Sequence, residues 1–330
     1  FGQLKLKQLL FDGGKAGDSG RAAFRAMEAQ QESAEASRLD AVFAVSQAYY
    51  RVLEARELLR VGEHSRLQRE AFFKLTDSYY QAGKATRIEQ LKAEAQLLDA
   101  ERSLVQARAA LRISELILKK TIGIGIDAEL GIRDGLPDTF TEPENDEVLL
   151  GRMVENNPDL KKSARFKEQA RLSIDSATGS YFPEVSLQGT YGYRDRDVGG
   201  IGDEWMAGVF LEWSLLEGGA TQAQVAKARA RFRELEWNDK ALRDQVRVDL
   251  SQVVGDIRTA LASIRSSKRL VEAQDEAYKA VVEFYKRGKA NYIEVLTAET
   301  DLTQAKAAYV RSIGEYQTAS ARLDRVVGKR

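Results

Sequence analysis

The chain has 330 residues, and its 50 basic and 50 acidic side chains cancel to a formal net charge of zero. Balanced charge with no basic tail or patch argues against electrostatic binding of nucleic acid. The absence of cysteine excludes disulfides, thiolate metal sites, cysteine nucleophiles and a lipid anchor on a cysteine within these residues.

The segment Gln3–Gln8 alternates polar and apolar residues, the period of a half-buried strand. Residue 1 falls within this strand-like stretch, so a further segment is expected upstream. Asp12, Gly13 and Gly14 break the strand. From about Ala16 to Tyr80 there is no proline, and Ala, Glu, Arg, Gln and Leu dominate, all strong helix formers. Some sixty helical residues span ~95 Å at ~1.5 Å each. Helices of that length belong to coiled coils or helical arrays. Gly83 supplies a left-handed stop, and Thr86 with Glu89 three places on forms a capping box for the next helix, which runs to about Thr121. Along it Leu91, Leu98, Leu104 or Val105, Leu111 and Leu118 recur near a seven-residue spacing, the mark of helices wound on one another.

From Ile122 to Asn157 glycine, proline and acidic residues predict an irregular belt with one short helix over 145–156. Asn157 and Pro158 start another helix, which runs to about Thr178. Val185, Leu187, Gly189, Tyr191 and Tyr193 then alternate with polar or small residues. A charged, Gly-rich loop is predicted over 194–204, and a second alternating run follows at Ala207, Val209, Leu211, Trp213 and Leu215. Two such segments with aromatics near their ends fit a membrane β-hairpin, and fit equally a hairpin packed on a soluble core. No run approaches the ~18 consecutive apolar residues of a spanning helix. Glu217, Gly218 and Gly219 repeat the strand-to-helix break. A second long helix is expected over 221–287, with Leu250, Val253, Ile257, Leu261 and Ile264 on its later stripe and a slip in spacing at Leu242, Val246 and Leu250. After a turn at Gly288 the last helix runs to Val327.

The chain is duplicated. Residues 79–100 and 284–305 are identical at 11 of 22 positions with no gap, at an offset of 205. The same offset carries Asp12-Gly13-Gly14 onto Glu217-Gly218-Gly219 and Gly123 onto Gly328. Repeats of this kind decide the reading of a fold. The organisation read from it is a first repeat over 1–123, an equatorial linker over 124–157 and a second repeat over 158–330.

The motifs Asn157-Pro158-Asp159-Leu160, Ser180-Tyr181-Phe182-Pro183, Trp213 through Gly219, and the tip pattern Tyr285, Gly288, Leu296 and Ala298 with its first-half copy give the chain its further identity. In order, spacing and duplication they resemble the TolC-like outer-membrane efflux family over essentially the whole sequence. The fold implied is mainly α with membrane β-strands: long coiled-coil hairpins forming an α-barrel tunnel, and strands contributed to a 12-stranded β-barrel shared by a homotrimer. The function implied is an outer-membrane channel of a tripartite efflux pump or type I secretion system, with a periplasmic helical domain. It is a passive conduit gated by iris-like opening of the helix tips. The implied partners are a periplasmic adaptor, an inner-membrane pump and outer-membrane lipid. Neither an enzyme activity nor a cofactor is implied. The chain's own physics agrees, because open strand edges cannot exist in lipid and long helices with narrow stripes need partners.

The resemblance also assigns residues. Glu294, six places after the tip glycine Gly288, matches one acidic ring of the pore constriction. Thr297 stands where the second ring is acidic. Tyr285 and Glu89 match the tip lock of the closed state, and Ala290 stands where the family carries a further lock arginine. Gly83, Leu91, Gly288 and Leu296 match the tip contacted by the adaptor. On residue type alone Glu294 is equally a solvated helix residue or a partner of the helix N-terminus, and Tyr285 equally a coiled-coil packing residue. His64, the single histidine, lacks neighbours that would make it a metal ligand. No phosphate loop, nucleophile elbow or metal motif is present. The competing class is a soluble or peripheral coiled-coil scaffold, which explains the helices but not the alternating strands or the fixed offset.

Overall fold

The computed structural model describes residues 2–132, 135–196 and 200–329. In chain order these form β1 (Gly2–Phe11), α1 (Lys15–Gln81), α2 (Arg87–Ile122), α3 (Asp146–Asn156), α4 (Pro158–Gly179), β2 (Glu184–Arg196), β3 (Gly200–Glu212), α5 (Ala220–Lys286) and α6 (Tyr292–Val327). The duplication holds at the level of backbone: α1 and α5 are each 67 residues long, α2 and α6 each 36. Both pairs start 205 positions apart, at 15 and 220 and at 87 and 292. The chain divides into two compact units that cut across the repeats: one holds residues up to Ser37 with Asn156–Val246, the other Arg38–Glu155 with Arg247–Arg330.

The first unit carries an antiparallel sheet of order β1-β2-β3 among the described residues. Its register decides its two faces. Leu4 lies opposite Tyr191, which lies opposite Trp205, and Leu6 is aligned with Gly189 and Ala207. Lys5 aligns with Thr190 and Met206, and Lys7 with Gln188 and Gly208. Since opposed residues share a face, one face is built from Leu4, Leu6, Leu187, Tyr191, Trp205, Val209 and Leu211, and every one of these side chains is exposed. The other carries the lysines and amides, with Lys7 paired to Glu184 at 2.8 Å. An apolar face left bare opposite a polar one is the pattern of a lipid-facing barrel wall.

The strands are longer than the alternation predicted. The loop expected over 194–204 is mostly ladder: pairing continues to Arg196 opposite Gly200, and residues 197–199 lie outside the described residues. At the other end β3 stops at Glu212, so Trp213 and Leu215, expected in the strand, lie past it. The indole of Trp213 instead donates to the Tyr181 carbonyl at 3.2 Å. Gly13 is required by contact as well as by its φ of +66°: a Cβ there would fall 2.5 Å from the Gly179 carbonyl oxygen. Asp12 closes the turn by accepting from the amides of Gly14 and Ala16 at 3.0 and 2.6 Å. α4 begins as predicted, with the Asn157 side chain accepting from the amides of Asp159 and Leu160. It is fixed to α5 by buried Asp239, which accepts from Ser163 and pairs with Lys167, both at 2.9 Å.

In the second unit the later stripe of α5 does what its spacing predicted. Val253, Ile257, Leu261 and Ile264 are buried against Ile313 and Tyr316 of α6. The linker is irregular, with α3 as its helix. Leu130 and Ile132 cover Val52 and Leu118 where α1 meets α2. Leu136 and Phe140 cover the α5–α6 core. Tyr316 fixes the second contact, its hydroxyl accepting from the Thr141 amide at 2.8 Å and donating to the Thr141 carbonyl at 3.0 Å.

Candidate functional site

The two helical hairpins of the second unit end in turns of one design. Gly83 and Gly288 take φ of +70° and +71°, a left-handed conformation that lets a following amide reach back to the helix end. Lys84 and Lys289 donate to the carbonyls of Tyr79 and Phe284 at 2.7 and 2.8 Å. Each next helix opens on a polar cap. Thr86 accepts from the Glu89 amide, and Glu89 answers by accepting from the Thr86 amide at 2.7 Å. Asn291 accepts from the Glu294 amide at 3.0 Å, and its own amide donates to the Glu294 carboxylate at 2.8 Å.

Glu294 and Thr297 are both exposed and stand three residues apart on one face of α6, with exposed Gln304 further along it. Glu294 therefore caps its helix and offers its charge to solvent at once. Leu91 is exposed and Leu296 is half-buried against the tip cluster.

Tyr285 is buried, not lining a surface. Its ring lies 5.2 Å from Phe72 and 6.0 Å from Tyr79, and Phe72 lies 5.7 Å from Tyr292. Ala93 of α2 and Val295 of α6 close this cluster, so all four helices meet there. Burial raises the Tyr285 phenol above its ordinary value; a hydrogen bond with Thr76 opposes this and the nearby Glu89 charge adds to it. Tyr292 is pushed up to about 12, again by burial, with Arg69 opposing. Glu89 thus reaches Tyr285 through its field while its oxygens serve the cap.

About ten residues in from the tip lies a buried polar knot that motif reading missed. Glu299 accepts from Ser65 at 2.7 Å, from Arg69 at 2.9 Å and from Thr303 at 3.1 Å. Arg69 also donates to the Gln96 carbonyl at 3.1 Å and lies 3.5 Å from Asp99. The repeat held a clue: Glu299 maps onto Glu94, but Ser65 and Arg69 map onto Leu270 and Gln274. Among the described residues no group of three or more His, Cys, Asp or Glu is placed to hold a metal, and His64 is exposed on α1.

No described helix is long and apolar enough to cross a membrane; the surface suited to lipid is the bare face of the sheet. Two duplicated hairpins with capped, charge-bearing tips and a sheet of this pattern define a protomer of an outer-membrane duct. The sequence of the outer membrane efflux protein family matches residues 2–124 and 149–329, and the chain belongs to that family. Nodulation protein T of Rhizobium leguminosarum bv. trifolii is 25% identical over 99% of this chain and 71% of its own length. The outer membrane efflux protein BepC of Brucella suis is 22% identical with the same coverage, 99% and 71%. The crystal structure of the outer membrane protein VceC from Vibrio cholerae superposes with a TM-score of 0.86 at 22% identity, covering 99% of this chain and 79% of that one. The protein is an outer-membrane component of an efflux or secretion system, and its fold is that of the channels.

Proposed function

We propose that three copies of this chain close into a trans-periplasmic exit duct, a passive conduit loaded by a periplasmic adaptor and an inner-membrane pump. The sheet joins its edges to neighbouring copies in the outer membrane, because an open edge has no partner in lipid. Each copy gives its strands to one 12-stranded barrel and its four long helices to one tunnel. The division into a first repeat over 1–123, a linker over 124–157 and a second repeat over 158–330 fits a ring in which hairpins alternate.

One observation carries this reading. The same register position is covered in one repeat and bare in the other. Val310 of α6 is 9% exposed and its counterpart Val105 of α2 is 64% exposed; Val327 is 7% exposed and its counterpart Ile122 is 46% exposed. On α1 Ser65 is buried, while its counterpart on α5, Leu270, is 46% exposed. In the chain, α1 supplies the cover for α6. A ring of copies supplies the equivalent cover for α2 from the α5 of the next molecule.

In this duct Glu294 rings the mouth with negative charge that favours cations and impedes anions, with Thr297 as a neutral second ring. Tyr285 and Glu89 hold the closed tip, by packing and by field. Gly83, Leu91, Gly288 and Leu296 form the tip surface that receives the adaptor. The test is the mass and conductance of detergent-extracted protein. Three copies per particle and conductance in planar bilayers are expected. A monodisperse monomer that stays in solution without detergent and never conducts would sink the reading.

A further inference from the structure

Glu299 and Arg69 are charged groups that an apolar packing would have served as well, so their burial asks for a reason. Their side chains are 5% and 13% exposed. Arg69 of α1 reaches Glu299 of α6 and the Gln96 carbonyl of α2, so one guanidinium joins three helices from both hairpins. Such a pair is secure when complete and costly when one partner is removed, because the other is left charged and dry. The void beside it, about 20 Å³ and lined by Phe72, Tyr278 and Tyr292 among others, holds at most one water. No ligand competes for these charges.

The duplication supplies an internal control. At the equivalent positions the glutamate is kept, as exposed Glu94, but the serine and arginine are Leu270 and Gln274. The knot is therefore peculiar to the α1–α6 contact inside one chain and does not follow from the repeat. Toward the tip the same contact continues through Phe72, Tyr285 and Tyr292.

We propose that the Ser65–Arg69–Glu299 knot is a clamp that fuses the two hairpins of each chain into a single gate leaf, so that the mouth opens between chains and not between the hairpins of one chain. This rests on the duct reading above. In a ring, the seam between leaves brings Glu94 against Leu270 and Gln274, a contact with no cation from the neighbouring α5 at that level.

The chain has no cysteine, so an introduced pair reports cleanly. A Cβ at Gly314 lies 3.5 Å from Cγ of Glu54, near the separation a disulfide accepts. Glu54→Cys with Gly314→Cys ties α1 to α6 within one chain. In planar bilayers the oxidised and reduced proteins are expected to open with the same probability, within twofold; loss of opening on oxidation, restored by reductant, overturns the clamp. The second measurement is hydrogen exchange on the assembled protein. Glu299→Gln is expected to raise exchange at residues 295–303 at least tenfold, while Glu94→Gln leaves 90–98 unchanged. Should Glu299→Gln fail to fold, Arg69→Met with Glu299→Met replaces the pair by an apolar one of similar volume and is read instead. Unchanged exchange at 295–303 overturns the proposal. Protein that conducts in neither redox state counts against the duct, and the exchange result then still decides the clamp.

Discussion

Substituting Ala207 by arginine separates a membrane strand from a soluble one. Ala207 is exposed and lies on the bare face, aligned with Gly189 and Leu6. It stands one residue from the middle of the 13-residue strand β3. In water an arginine at so open a site changes stability by no more than about 0.5 kcal/mol. At the bilayer midplane it costs about 2–4 kcal/mol, a thirtyfold or greater loss in the folding equilibrium. Gln188, on the opposite face and aligned with Lys7 and Gly208, is the control, since arginine there faces the polar side. The assay is denaturant titration of folding into lipid vesicles. Ala207→Arg should lose at least 2 kcal/mol and Gln188→Arg less than about 0.5. Equal stabilities for the two variants would refute the assignment of the faces, and with it the lipid-exposed sheet.

Other outcomes follow from the tip. Tyr292 has its phenol raised to about 12 from 10.0, so it adds stability in full below about pH 10 and loses it as pH climbs through 12, at about 1.4 kcal/mol per unit. Tyr292→Phe should flatten the alkaline part of the stability profile; an unaltered slope means the ring is not desolvated. Glu294→Gln leaves the cap intact, because Asn291 accepts from the backbone amide at 294, and should weaken cation preference and divalent block. Unchanged reversal potentials would return Glu294 to an ordinary solvated position. Tyr285→Phe with Glu89→Ala should raise closed-state conductance, and a wild-type trace would remove the tip lock while leaving the fold.

Much of this architecture was legible because the sequence punctuates it. Gly83, Thr86 and Glu89 announce a stop, a cap and a capping box, and the structure places those bonds at those residues. Asn157 and Pro158 do the same for α4. Strand ends were read less well. Charged residues at Arg194–Arg196 looked like loop, but a barrel strand needs apolar residues only on alternate positions, and ladder bonds do not depend on side-chain polarity. Trp213 continued the alternation on paper, yet its indole found a carbonyl outside the sheet. The buried surroundings of Tyr285 were invisible for another reason. Phe72 and Tyr292 come from α1 and α6, and Arg69 is 230 residues from Glu299; periodicity reports which face a residue is on, never which helix meets it.

The two repeats agree where backbone geometry dictates residues and differ where neighbours do. Both tips need a glycine at positive φ, a polar cap and a glutamate three places on, so Gly83 and Gly288, Thr86 and Asn291, Glu89 and Glu294 are equal or equivalent. The flanks of the long helices carry no such demand. There α1 faces α6 of its own chain through Ser65 and Arg69, whereas the matching face of α5, at Leu270, is open. A single-chain array would give both faces the same chemistry. Divergence confined to these faces is what a closed ring requires, because its seams within and between copies are different contacts under different loads, and only the seam that must part can forgo its ion pair.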